Sequence, residues 1–316
     1  MRGRKITYGI LTACVGIICL FVIIDFNASK KLFIITFGKS GTVGHTNDNG
    51  RFDGEAESYI NGQLIKKATF KNGLLDGLTT CYYSNGAIKS KTFFKKDNVD
   101  GIETTFYIDG KIKSKESFKN GAREGPKILY YRNGQIEQES FRKNNRVSGP
   151  ERVYYENGNL KYKRTWVNNK LYGDFYYYNN KKDIEIYNAY DVLGDKFYLC
   201  RYNSSGMISK SDGNVFSSRT YSITNDSIVV LETRHAYKSI RDLYITVANP
   251  PQSTTEVQVT VNGSVYKNLI FRDPNTVMLK DVFNHIGFYS ITVEGIFVGK
   301  SVVTDQTSGN LSIEVK

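Results

Sequence analysis

The chain has 316 residues, enough for two or three domains of ordinary size. Its 40% hydrophobic and 23% charged residues exclude a disordered polymer and a multi-pass membrane protein. Five prolines stand against 28 glycines, 23 tyrosines and 18 phenylalanines, a composition that favours turns and strands over helical bundles. We therefore predict an all-β protein.

The net charge of +12 is unevenly distributed along the chain. Residues 1–49 carry +4 and residues 50–187 carry +8, whereas residues 188–316 are neutral. A basic surface points to nucleic acid, anionic lipid or acidic glycan as a partner. Nucleic acid is the weakest of these candidates if the chain is anchored in a membrane.

An apolar segment near the N-terminus suggests such an anchor. Residues 6–24 run for 19 positions without a charge, close to the length of a helix that crosses a bilayer. Basic residues precede the segment, so we predict a transmembrane helix with residues 1–5 in the cytoplasm and the bulk of the chain outside it, periplasmic or extracellular. Residues 25–49 would be a linker.

A lipoprotein anchor is the alternative. The tetrad ending in Cys14 resembles a lipobox, in which Cys14 becomes the lipidated N-terminus. However, too few apolar residues precede the tetrad, and the segment after Cys14 is very apolar for an exposed tether. Both alternatives attach the chain to a membrane.

The centre of the chain is repetitive, with turn glycines spaced 24 residues apart. A tyrosine precedes each of these glycines by three residues, Leu or Ile follows by two, and an aromatic residue closes the unit. The turn glycines are Gly62, Gly86, Gly110, Gly134 and Gly158. We take Phe70, Phe94, Phe118, Phe141 and Trp166 as the closing aromatics.

Each unit is typical of a β-hairpin. Every predicted turn contains the dipeptide Asn-Gly or Asp-Gly. This dipeptide favours type I′ geometry, in which both central residues have a positive φ. Since one hairpin buries too little to be stable, neighbouring hairpins must stack. We predict an elongated hairpin solenoid over residues 50–187.

The pattern, approximately YYxNGxIKxKxxFKNGxxDG, resembles the MORN-repeat variant of bacterial antitoxin-type proteins. This resemblance implies a repeat architecture, and some family members are thought to neutralise a toxin. The related eukaryotic MORN repeats are associated with membranes and scaffolding. Asn179–Lys182 departs from the turn pattern, and Gly206 returns to its phase. We therefore interpret residues 188–214 as a degenerate capping repeat with a polar surface.

The C-terminal part follows a different pattern. Strand-like runs over 242–249, 256–261, 264–271 and 287–293 have the spacing of a β-sandwich. The last run resembles strand F of an immunoglobulin-like domain, with Tyr289 at the position of a tyrosine corner. We predict an immunoglobulin-like sandwich over 215–316, although the Cys pair and Trp of antibody domains are missing.

The sequence contains no recognisable catalytic constellation. GxSxG, HExxH, P-loop and dinucleotide-binding motifs are absent, and neither the three histidines nor Cys81 and Cys200 have metal-ligand spacing. We expect a protein without catalytic residues, metal or cofactor, not an enzyme.

Lysines after the turns are the candidate binding residues. Because side chains alternate between the faces of a strand, they should form a basic stripe that is interrupted in the fourth copy. The stripe comprises Lys67, Lys89, Lys91, Lys113, Lys115, Lys161 and Lys163. It would bind an acidic protein, an anionic lipid or a glycan, unless the lysines only keep the sheet soluble.

We therefore expect a membrane-anchored extracytoplasmic scaffold that uses its repeats to bind a protein partner or an anionic envelope component. The alternative function is an antitoxin or immunity protein that neutralises a toxin.

Overall fold

The computed structural model describes most of the chain, and every regular element in the described part is a β-strand. The described residues are 9–14, 19–24, 31–37, 40–213, 216–224, 227–231, 234–236, 242–248, 250–251, 253–267, 269–273, 275–283, 287–299 and 306–315. They fall into two compact units, Met1–Arg146 and Val147–Lys316.

The helix expected over residues 6–24 is not supported. Strands β1 (Gly9–Cys14) and β2 (Cys19–Ile24) pair antiparallel, with Gly9 opposite Ile24, and the rest of the segment lies outside the described residues. A uniformly apolar run has no periodicity that separates helix from strand, so length was the only argument for a helix. Within the described residues, the chain has no helix of the length and hydropathy that a bilayer crossing requires.

The first unit continues with antiparallel strands that pair with their neighbours in chain order. These are β3 (Lys31–Phe37), β4 (Ser40–Thr46), β5 (Phe52–Ile60), β6 (Gln63–Lys71), β7 (Leu74–Tyr82), β8 (Ile88–Lys95), β9 (Asn98–Val99), β10 (Gly101–Phe106), β11 (Ile112–Lys119), β12 (Ala122–Tyr130) and β13 (Ile136–Lys143). The short strand β14 (Arg146–Val147) contains the boundary between the units.

The turn glycines lie where the sequence predicts them, but most of these turns are not type I′. In the second repeat, Tyr83 N donates to Ala87 O (2.8 Å) and Gly86 N to Tyr83 O (3.0 Å), and only the glycine has a positive φ. This is a type I turn followed by a G1 bulge. Among the five turn glycines, Gly62 alone lies in a type I′ turn, where Asn61 also has a positive φ.

The side chain before the glycine explains this difference. Asn85 Oδ1 accepts a hydrogen bond from Ala87 N at 3.0 Å, an Asx turn that holds the residue in the type I conformation. The same bond recurs at Asp109, Asn133 and Asn157.

Type I′ turns instead close the opposite end of each repeat. Asn72 and Gly73 both have positive φ, at +52° and +85°. Paired positive φ values recur at Lys96–Asp97, Asn120–Gly121, Asn144–Asn145 and Asn168–Asn169.

The second unit begins with strands of the same hairpin type. These are β15 (Gly149–Tyr154), β16 (Leu160–Val167), β17 (Lys170–Tyr178), β18 (Ile184–Tyr190), β19 (Lys196–Tyr202) and β20 (Ile208–Gly213). The turn that lacks glycine keeps the same bonding, because Asn179 N donates to Asp183 O at 2.9 Å. Asn203 and Gly206 repeat it, as their phase predicts.

Two five-stranded sheets follow in the same unit. One contains β21 (Phe216–Thr224), β22 (Ser227–Leu231), β24 (Leu243–Val247), β27 (Leu269–Asp273) and β28 (Thr276–Leu279). The other contains β23 (Arg234–Ala236), β25 (Ser253–Val261), β26 (Ser264–Val265), β29 (Gly287–Gly299) and β30 (Gln306–Val315).

One buried cluster joins both of these sheets to the last repeat strands. Ile245 from the first sheet and Ile291 from the second belong to the same core as Tyr187, Tyr198 and Cys200, and all five are at most 1% exposed. Strands β18 and β19 are thus covered by apolar contacts, whereas most residues of β20 are exposed.

Candidate functional site

The first unit places three of the predicted lysines in one row. Lys67 and Lys91 both lie opposite Thr80, and Lys91 and Lys115 both lie opposite Thr104. Consecutive lysines are therefore two strands apart, about 10 Å, on one side of the sheet. We call this side the lysine face and these three residues the lysine row.

The lysine row ends at the fourth copy of the repeat, where Glu139 replaces the lysine. Lys115 pairs with Ile128, which pairs with Glu139. At the other end, Lys67 Nζ lies 2.6 Å from Glu57 Oε1. The hydrogen bond from Lys67 lowers the pKa of the Glu57 carboxyl, with help from Tyr59, and raises the pKa of Lys67. Within the described residues, Lys91 and Lys115 form no ion pair.

The lysines two positions earlier on these strands contact tyrosine rings. Lys89 Nζ lies 6.0 Å from the ring centre of Tyr83, and Lys113 Nζ lies 5.9 Å from that of Tyr107. Both distances are at the limit of a cation–π interaction. These two lysines therefore contribute to the packing of their own repeat as well as to the charge of the lysine face.

In three repeats, a tyrosine hydroxyl links the hairpin to the next one. Tyr83 donates its hydroxyl to Phe106 O at 2.7 Å, and Tyr107 donates to Tyr130 O at 2.7 Å. In the second unit, Tyr155 donates to Tyr178 O at 2.9 Å. We call these bonds the tyrosine staples. They give these three tyrosines a structural role.

An apolar row, which the sequence analysis missed, lies beside the lysine row. Leu78 pairs with Phe93, just as Thr80 pairs with Lys91 two residues away on the same strands. Leu78 and Phe93 therefore lie on the lysine face. Ile102 follows on β10, two residues before Thr104. Their exposed fractions are 47% for Leu78, 48% for Phe93 and 58% for Ile102. We call these three residues the apolar row.

Phe141 also lies on the lysine face, contrary to its predicted role as a closing aromatic. It is 41% exposed and pairs with Pro126, two residues from the Ile128–Glu139 pair. The residue 24 positions after Phe118 is Arg142, so the aromatic side chain has moved by one position and therefore to the other face.

The opposite face of the first unit is closed. Ala68, Thr79, Thr92 and Ser140 are buried there, and Glu116 is 8% exposed. Three cations surround the Glu116 carboxylate: Arg123 at 3.1 Å, Lys127 at 3.6 Å and Arg142 at 3.9 Å. This face therefore satisfies its own charge, whereas the lysine face does not.

The second unit contains a cavity of about 480 Å³. Strands β15, β16 and β17 form one side, and Asn275 from the loop before β28 contributes to the other. Two of the predicted stripe residues are in this unit. Lys163 lines the cavity, with Nζ 4.2 Å from the ring centre of Tyr176, whereas Lys161 lies over Tyr155 at 5.4 Å.

A buried acidic residue anchors one wall of the cavity. Glu151, 5% exposed, accepts hydrogen bonds from Arg164 Nε and from Trp166 Nε1, the latter at 2.8 Å. The Arg164 guanidinium also lies over the rings of Trp166 and Tyr162. The Glu151 charge is thus neutralised within the wall.

A second acidic residue is held by neutral donors. Asp174 accepts hydrogen bonds from Tyr187 (2.6 Å), Tyr176 (2.8 Å) and Asn275 Nδ2 (2.6 Å). Burial raises the pKa of the Asp174 carboxyl, and these three bonds and the charge of Lys163 oppose that shift. Burial and the Asp174 charge raise the pKa of Tyr176.

The comparisons with known proteins identify the repeats. Residues 75–96, 99–120, 123–144 and 148–168 match the MORN repeat variant. The centre of the chain therefore carries MORN repeat variant repeats. No curated protein matches the sequence. In the described part of the chain, no group of His, Cys, Asp and Glu residues could hold a metal ion.

Two solved structures are similar over most of the chain. One is the extracellular domain of a one-component system from B. thetaiotaomicron, with 12% identity and a TM-score of 0.21 over 90% of this chain and 36% of that one. The other is a Ca²⁺-stabilised adhesin of an ice-binding Antarctic bacterium, with 10% identity and a TM-score of 0.22 over 96% of this chain and 92% of that one. At these TM-scores neither carries an argument about function.

Proposed function

We propose that this chain is a non-enzymatic interaction protein that binds an acidic protein partner through the lysine face of its repeats. The observation that carries this proposal is the parallel course of the lysine row and the apolar row. Lys91 and Phe93 are two residues apart on β8, so cationic and apolar side chains alternate within about 7 Å.

Charge and apolar area favour the same kind of partner. Exposed cations without ion pairs steer an acidic surface and set its orientation. Contiguous exposed apolar side chains mark contact sites for proteins or membranes. A polar glycan would satisfy the lysines but leave Phe93 and Ile102 in water, so we favour a protein whose acidic groups flank an apolar patch.

A co-isolation experiment tests this proposal. Changing Lys91 and Lys115, which contact no ring among the described residues, to Gln in the full chain should strongly reduce co-isolation of the partner and leave the melting temperature nearly unchanged. Wild-type binding should weaken between low and physiological salt, as expected for screened surface charges. The matched control changes Lys196, Arg201 and Lys210 to Gln, outside the lysine face, and should have little effect.

The identity of the captured protein separates the two proposed roles. A single toxic partner would establish the antitoxin function that the family resemblance implies, whereas envelope proteins would establish a scaffold. Equal binding by wild type and the Lys91→Gln, Lys115→Gln double variant would overturn the proposal. Retention of a chain without residues 1–24 on anionic liposomes, lost when Lys91 and Lys115 are changed to Gln, would also overturn it and would identify lipid as the ligand of the lysine face.

We further propose that the uncharged segment 6–24 attaches the chain to a membrane, with the repeats on the extracytoplasmic side. The length of the apolar run and the basic residues before it support this proposal.

A further inference from the structure

The cavity in the second unit is lined by three cationic and two anionic side chains, so positive charge is in excess. Arg152 and Lys163 lie directly opposite each other on β15 and β16. Like charges in this position destabilise a sheet. Of the two acidic residues that line the cavity, Glu151 is bound by Arg164 and Trp166, and Asp174 is bound by three neutral donors. An anion between the two cations would compensate the repulsion.

The same wall can also accept a hydrogen bond from a ligand. A carboxylate offers about four acceptor positions, and Asp174 uses three of them. Its Oδ2 atom accepts only from Tyr176 among the described bonds, so it retains capacity for one donor. Asp174 is itself negative and lies near Lys163, so it would repel a doubly charged ligand at this place more strongly than a singly charged one. The cavity therefore suits a ligand with one negative charge and a hydroxyl group that can donate to Asp174.

The size and rigidity of the cavity are consistent with a small ligand. Its volume of about 480 Å³ is within the range of small-molecule sites. Asn275 is fixed by hydrogen bonds from Nδ2 to Asp174 and to Val247 O. Gly173 makes room for this side chain, because a Cβ atom there would lie 3.1 Å from Asn275 Oδ1. The walls are therefore held in place before any ligand binds.

From this arrangement we infer that the second unit binds an acidic sugar, with its carboxylate between Arg152 and Lys163 and one hydroxyl group donating to Asp174 Oδ2. Thr165, which also lines the cavity, supplies another polar group for such a ligand. This inference concerns the second unit and does not depend on the lysine face of the first.

Calorimetry on the full chain with D-glucuronate as the probe tests this inference. The chain should bind D-glucuronate and should bind D-glucose, which has the same ring without the charge, at least about tenfold more weakly. Lys163→Gln and Arg152→Gln should each weaken D-glucuronate binding by about tenfold or more. Arg152 is exposed, so its variant should fold even if the half-buried Lys163 proves sensitive.

Lys161→Gln is the matched control. Lys161 lies on the same strand and the same face as Lys163, but it does not line the cavity, so this variant should bind D-glucuronate like wild type. Three results would each overturn the inference: no heat of D-glucuronate binding to the wild type, equal binding of D-glucose, or unchanged binding by a folded Arg152→Gln variant.

Discussion

The side chain of Tyr107 combines a hydrogen bond with two cation–π contacts. In Tyr107, the hydroxyl reaches Tyr130 O, while Lys113 and Arg132 lie 5.9 and 5.3 Å from the ring centre. The ring thus contacts Lys113 of its own repeat and Arg132 of the next, and the hydroxyl bonds to the backbone of the next repeat. A lysine of the predicted binding stripe is in this way also a structural residue.

Tyr155 allows the tyrosine staple to be tested by pH. Burial, together with the hydroxyl of Tyr177, raises the pKa of Tyr155 to about 12, from an ordinary value of 10.0. The folded state therefore favours the neutral phenol. The stabilisation is complete below pH 10 and is lost as the pH rises through about 12. Tyr155→Phe should lower the free energy of unfolding by about 1 kcal/mol at neutral pH.

Urea titrations at neutral pH and across this alkaline interval provide the measurement. The difference between wild type and Tyr155→Phe should shrink towards zero as the pH rises. Tyr82→Phe is the control, because Tyr82 lies in a repeat strand but its hydroxyl forms no hydrogen bond in the described part of the chain. This variant should lower the free energy of unfolding by less. A Tyr155→Phe difference that does not change with pH would refute the proposed role of this hydroxyl.

Hairpins of one repeat use two turn types, and only part of this was predictable. The dipeptide Asn-Gly fits both a type I′ turn and a type I turn with a G1 bulge. The choice depends on the length of the loop, which follows from the register of the strands and from the Asx bond at Asn85. Neither is visible in a dipeptide.

Gly77, on β7, is a glycine that both its backbone conformation and its close neighbour Thr69 on β6 require. Its φ is +129°, and a Cβ atom there would lie 2.8 Å from Thr69 Cβ. Gly86 also has a positive φ, +84°, but a Cβ atom would meet nothing within 4 Å. Gly86→Ala should therefore cost about 1 kcal/mol from backbone strain alone. Gly77→Ala should cost clearly more, about 3 kcal/mol, because the side chains also overlap.

Thermal and urea unfolding of both variants measure this difference. Thr69→Gly removes the overlapping Cβ atom, so Gly77→Ala should cost less in the Thr69→Gly background than in the wild type. If Gly77→Ala and Gly86→Ala prove equally costly, the close approach of Gly77 to Thr69 is not present in solution.

For the whole molecule, the 24-residue period was sufficient to predict the hairpins, the turn positions and the row formed by Lys67, Lys91 and Lys115. The apolar row was missed because exposed and buried apolar residues look alike in a strand pattern. The cavity was missed for a different reason: Asp174 and Asn275 are 101 residues apart, and no local spacing relates them.

Membrane attachment is the prediction that concerns the whole chain. The full chain should sediment with membranes, and a version without residues 1–24 should remain in solution. A reporter that is active only in the cytoplasm should be silent when fused after Lys316. A soluble full chain or an active reporter would contradict this arrangement, and a diacylated mass starting at Cys14 would show that a lipid serves as the anchor.

The tyrosine staples also have a mechanical consequence. Strands between residues 40 and 143 pair in chain order, so tension applied to the two ends of this stretch would load one interstrand ladder at a time. Peeling a whole repeat would break two ladders in turn and release about 24 residues, or about 80 Å of chain, and in the repeats of Tyr83 and Tyr107 it would also rupture one hydroxyl–carbonyl bond. The repeats would thus yield in small, equal increments and behave as an extensible spring between whatever is attached at either end.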